Sequence, residues 1–146
     1  MNQGEQTVKI LNKKMGQKGA AAVEFGIILP FLVLLVFGTI EFGVMFYNKQ
    51  VLTNATREGA RAGITKGITY TEVQQIVLDY CNERLINLNG SNELPIDNIV
   101  VTPDGTDDLS VAVSFEYDLL FSQIIGFTDT TLSARTIMRM EPGSGT

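Results

Sequence analysis

The sequence predicts an α+β protein: a single long N-terminal transmembrane helix followed by a small extracytoplasmic domain, in which one helix packs on a three-stranded antiparallel sheet. Three observations predict it. An apolar run from Phe25 to Tyr47 is broken by one charge, Glu41; a helical period recurs between residues 71 and 88; and the period becomes alternating after Pro95. With 146 residues the chain is too short for two full domains, which usually need roughly 100–200 residues each.

The apolar run is justified by length. Its 23 positions would extend about 34 Å as a helix, against a hydrocarbon thickness of about 30 Å. Cores of ordinary secretory signals are roughly 7–15 residues and lead into a small-x-small cleavage site, which Met45-Phe46-Tyr47-Asn48-Lys49 does not offer. The net charge of −5 hides a gradient: residues 1–19 carry +3, residues 20–70 carry +1 and residues 71–146 carry −9. By the positive-inside rule, Lys9, Lys13, Lys14 and Lys18 hold the N-terminus in the cytoplasm, and the acidic part lies outside the cytoplasmic membrane. That acidic bulk is a poor surface for nucleic acid, whereas membrane lipid is an expected partner.

The residue types exclude several chemistries. There is no His and no Trp, and Cys81 is the single Cys. Ser-His-Asp or Cys-His catalysis cannot be assembled within the chain, nor can an internal disulfide or a zinc site of the Cys and His type. No cofactor is expected, no metal site, and no enzymatic activity.

At the border of the run lies Lys18-Gly19-Ala20-Ala21-Ala22-Val23-Glu24-Phe25. A carboxylate at a span's start can lie at headgroup level and favour the helix dipole. It can also await a partner, because deep burial of a charge would cost up to ~2.5–3.5 kcal/mol.

Gly19 to Phe25, Leu29-Pro30, Phe37-Gly38-Thr39-Ile40-Glu41-Phe42-Gly43 and Asn54-Ala55-Thr56-Arg57-Glu58-Gly59-Ala60-Arg61-Ala62-Gly63 together resemble the N-terminal region of the TadE-like pseudopilins, of the tight-adherence (Tad) branch of type IV pilus systems. The resemblance implies a minor pilin-like subunit of an adhesive pilus, cut between Gly19 and Ala20 by a prepilin peptidase. It further implies that Glu24 pairs with the new ammonium of its own or an adjacent subunit, and that other pilins or pseudopilins and the inner-membrane assembly platform are partners. On that reading residues 1–19 are a cleaved leader, 20–66 the transmembrane and assembly helix, and 67–146 the extracytoplasmic domain.

Pro30 removes a backbone donor inside the span and crowds the carbonyl of Gly26; it marks a helix kink or a proline that the membrane tolerates. Glu41 should lie near the outer interface, solvated or paired with a cation of a neighbouring subunit. Beyond Tyr47 the helical pattern continues through Val51, Leu52, Ala55, Gly59, Ala62 and Gly63, with Arg57, Glu58 and Arg61 placed for i,i+3 contacts or pairing between subunits.

Thr69-Tyr70-Thr71-Glu72 has capping-box spacing, and Val73, Ile76, Val77, Tyr80, Cys81, Leu85 and Leu88 form an apolar helical face, with Gly90 as a stop. Ile96–Val101, Leu109–Tyr117 and Thr131–Met140 read as strands, the first two joined by the turn Pro103–Asp108. The apolar segment 119–127 should cover the sheet or meet another subunit. Asp104, Asp107 and Asp108 read as an acidic turn rather than a calcium loop, and Asn54-Ala55-Thr56 and Asn89-Gly90-Ser91 match the N-glycosylation pattern. The alternative to the pilin reading is an uncleaved single-pass membrane protein displaying a small binding domain; an extracytoplasmic enzyme is the third class and lacks an identifiable nucleophile and base.

Overall fold

A computed structural model of the chain describes residues 3–65, 67–88, 90–105, 107–120, 126 and 130–140, with side chains from residue 19 onward. The elements are α1 (Gln3–Gly63), α2 (Tyr70–Asn82), a short 3₁₀ turn (Ile96–Asn98), β1 (Ile99–Pro103), β2 (Asp108–Tyr117) and β3 (Thr130–Arg139). They form an α+β protein with one N-terminal helix long and apolar enough to cross a membrane. The chain divides into two compact units, Met1–Ile40 and Glu41–Thr146.

In the first unit, the residues of α1 from Gly19 to Phe37 are all exposed, among them Phe25, Ile27, Phe31 and Leu35. A soluble helix would hide one such face; this one is apolar all round, as lipid demands. The helix runs through Pro30 without interruption.

The second unit is built on the remainder of α1. From Glu41 the helix becomes one-sided: Glu41, Asn48, Val51, Leu52, Ala55 and Thr56 are buried, while Phe42, Phe46 and Tyr47 face outward. The antiparallel sheet has the order β1-β2-β3, with Val111 opposite Val101 and Thr136. Alternation along β2 sends Leu109, Val111, Val113, Phe115 and Tyr117 inward, where they join Val73, Val77 and Cys81 of α2 and Leu52 and Ala55 of α1. Each fully buried Val or Leu of this kind contributes about 1.5–3 kcal/mol. The sequence reading gave the sheet one helix; the structure gives it two, because the emergent part of α1 is a wall of the core.

Close approach explains the last two glycines of α1. A methyl group at Gly59 would overlap the Val77 side chain, and one at Gly63 would overlap Leu109. The small-residue stripe of the emergent helix is therefore spent on contacts within the chain.

The capping box starts α2 as its spacing predicts. The Thr69 hydroxyl accepts from the Glu72 N–H at 3.3 Å, and the Glu72 carboxylate accepts from the Thr69 N–H at 2.7 Å. The Thr69 N–H, and after it the Thr69 hydroxyl, donate to the Glu72 carboxylate and hold it below the ordinary carboxylate range. The helix ends at Asn82 rather than continuing to Leu88. The N–H groups of Arg84 and Leu85 both turn back to the Cys81 carbonyl, at 3.0 and 2.8 Å, and the Asn82 side chain accepts from Leu94 N–H at 3.0 Å. Leu85 still reaches the core, whereas Leu88, expected on the helix face, is exposed.

Likewise Ile96–Asn98, expected as strand, forms the 3₁₀ turn: Pro95 offers no N–H to a ladder, and its carbonyl accepts from Asn98 N–H at 3.0 Å. The aspartates of the β1–β2 turn meet β3, with Arg135 Nη2 at 2.8 Å from Asp104 and Arg139 Nη2 at 3.6 Å from Asp107. Most of segment 119–127 and Asn89 lie outside the described residues.

Gly59→Leu should destabilise the second unit by about 1–3 kcal/mol through overpacking, read as a lower denaturation midpoint of the full chain in detergent. Gly43→Leu, where the surroundings are open, should leave the midpoint unchanged.

Candidate functional site: the amino-terminal helix and its polar anchors

The expected processing segment lies on the exposed part of α1. Gly19, Ala20 and Glu24 are helical and exposed, with open space around Gly19. Ala20 and Glu24 are one turn apart, about 6 Å along the axis. Glu24 has no hydrogen bond or ion pair among the described residues. The side chains before Gly19 lie outside those described. The structure thus presents an accessible peptide, and a carboxylate on the same face four residues later.

Glu41 behaves differently. It is 7% exposed, and its Oε1 accepts from the Leu120 N–H at 2.6 Å. The sequence offered it solvent or a cation from a neighbour; a backbone amide of its own chain meets it instead. Two turns on, Asn48 is fully buried. Its Nδ2 donates to the Ile86 carbonyl at 2.6 Å and its Oδ1 accepts from the Ile86 N–H at 3.0 Å, so one amide satisfies both backbone groups of one residue. Two turns further, buried Thr56 shares a hydrogen bond with Thr136 Oγ1 at 2.8 Å.

Sequence reasoning missed Asn48 and Thr56. The signal was there: Glu41, Asn48 and Thr56 stand seven and eight residues apart, on the helical face that also carries Val44, Val51, Leu52 and Ala55. Near the first anchor, Tyr117 is fully buried, and its hydroxyl finds no partner among the described residues. Burial first, and the Glu41 charge second, raise its pKa.

Arg57, Glu58 and Arg61 are exposed. Arg61 Nη2 lies 3.2 Å from Glu58 Oε1, and this bond raises the Arg61 pKa further. As a solvated i,i+3 pair it adds little to stability. Cys81 is buried within the core, which pushes its thiol up to about 11, so at neutral pH it stays protonated and poorly nucleophilic. Among the described residues no group of His, Cys, Asp or Glu side chains is arranged to hold a metal ion.

These features define a class: an α+β unit borne on a helix whose other end is suited to lipid. Within that class, residues 19–61 match the model of the TadE-like protein family, the family that the N-terminal motifs resemble and one associated with Tad pili. The matched segment opens on Gly19 and includes Glu24, Pro30, Glu41, Arg57, Glu58 and Arg61. No curated protein and no solved structure matches the chain.

Asn48→Leu leaves the Ile86 N–H and carbonyl without their partner, and should cost about 1–3 kcal/mol. Urea unfolding of the full chain in detergent checks it, with exposed Asn54→Leu as the control expected to show no loss.

Proposed function

We propose that the protein is a TadE-like pseudopilin, a structural and assembly subunit of a Tad adhesive pilus rather than an enzyme. A prepilin peptidase removes residues 1–19 on the cytoplasmic side. The helix from Ala20 then holds the subunit in the cytoplasmic membrane, with the acidic unit outside, until it joins other pilins or pseudopilins at the assembly platform. The observation that carries this reading is the family match, which begins on Gly19 and has Glu24 five positions later at the mouth of an exposed apolar helix.

The chemistry is coherent with that reading. A carboxylate entering lipid unpaired is costly. Proteolysis after Gly19 makes a cation at Ala20, and pairing it with Glu24, in the same or an adjacent subunit, lowers the penalty. Pro30, which leaves one backbone carbonyl of the helix without its donor, gives α1 a place to bend or unwind when helices pack together. The exposed Arg57, Glu58 and Arg61 remain available for contacts between subunits.

Intact-mass analysis of the protein from cells containing the peptidase should find a product of 127 residues beginning at Ala20. Retention of the leader in such cells would replace the pilin reading with an uncleaved, tethered binding domain. Glu24→Ala should insert into the membrane as the parent does but fail to enter sheared pilus fractions; wild-type recovery of the variant in fibres would remove the pairing role.

A further inference from the structure

The second unit has an apolar base that its own core does not use. Phe42 and Phe46, one turn apart on α1, are 62% and 71% exposed. Beside them Tyr47 is exposed, as are Ile86 and Leu88 from the connection after α2. The two hydrogen bonds between Asn48 and the Ile86 backbone hold that connection against this part of the helix. The Glu41 carboxylate, less than a turn from Phe42, fastens the start of the β2–β3 connection at Leu120.

Charge patterning picks out the same two connections. Residues 71–146 hold twelve acidic side chains, yet the two longest uncharged stretches there are 119–128 and 85–92. Both are fastened, at Leu120 and Ile86, to the α1 turns that continue directly from the apolar run. One acidic side chain meets the connection after α2, Asp118, whose carboxylate accepts from Asn87 Nδ2 at 3.3 Å.

We infer that this base, formed by Phe42, Phe46, Tyr47, Ile86 and Leu88, is a lipid-docking surface that seats the second unit in the interfacial layer of the bilayer. The inference rests on the membrane reading proposed above. Its occupant is lipid because the patch is continuous in sequence with the apolar run, and the charged groups beside it are hydrogen-bonded within the chain: Glu41 accepts from the Leu120 N–H, Asp118 accepts from Asn87 Nδ2, and the Lys49 ammonium donates to the Ser133 carbonyl. Tyr47, apolar in its ring and polar at its tip, suits the headgroup boundary. The unit is thereby held at a fixed height instead of swinging on a tether.

The chain lacks Trp, so a single introduced Trp reports its own surroundings. Full-length Ile86→Trp and Leu88→Trp, each at an exposed position, would be reconstituted in phosphatidylcholine vesicles with and without bromine on the upper acyl chain. Phe31→Trp serves as the marker for the span. Ile137→Trp, seven residues along β3 from Thr130 and about 23 Å toward the strand's other end, serves as the marker for the solvent side.

The expected result is a loss of emission at 86 and 88 in brominated vesicles, comparable to that at 31, with no loss at 137. Quenching at 31 without quenching at 86 and 88 would overturn the docking surface and leave the membrane reading standing. Absence of quenching at 31 would overturn both. Blue-shifted emission at 86 and 88 that ignores bromine but varies with the protein-to-lipid ratio would show a second copy covering the patch, and would also overturn the inference.

Discussion

Three polar side chains on one face of a helix hold the second unit together. Glu41, Asn48 and Thr56 are buried, and each is met by a group from a different part of the chain: the amide of Leu120, both backbone groups of Ile86, and the hydroxyl of Thr136. Apolar contacts alone would let a smooth helix slide along the sheet. A buried polar group left without its partner costs far more than a displaced methyl, so the three anchors fix both the rotation and the height of α1. Gly59 and Gly63 then let the last two turns come close to Val77 and Leu109.

Much of this was legible in the residues. The capping box at Thr69, the alternation of Leu109 to Tyr117 and the apolar run are local patterns, and local patterns survive folding. What was not legible depended on distant partners. Helix α2 stops at Asn82, and distant Asn48 takes the Ile86 N–H and carbonyl that a longer helix would have paired within itself; Ile96–Asn98 curls into a 3₁₀ turn after Pro95 although its residues favour strand. Glu41 looked like a surface charge because nothing near it in sequence shows that Leu120 returns to it.

The same helix has two characters along its length. From Phe25 to Phe37 its side chains are apolar and exposed on every side, and from Glu41 onward it has one buried and one exposed face. The change falls within a turn and coincides with the boundary between the compact units. Within the 19–61 match, the first half is exposed and largely apolar, and the second half supplies the scaffold for the sheet. Residues after 61 lie outside the match and are tied to the scaffold by the anchors.

The ammonium of Lys49 donates to the Ser133 carbonyl, midway along β3, which borders the sheet among the described residues. A bare border strand ten residues long invites a foreign strand to zip onto it, the usual route to amyloid-like clumping. A carbonyl already claimed by a cation is a poor first tooth for that zip. The lysine therefore works against unwanted strand addition at this border.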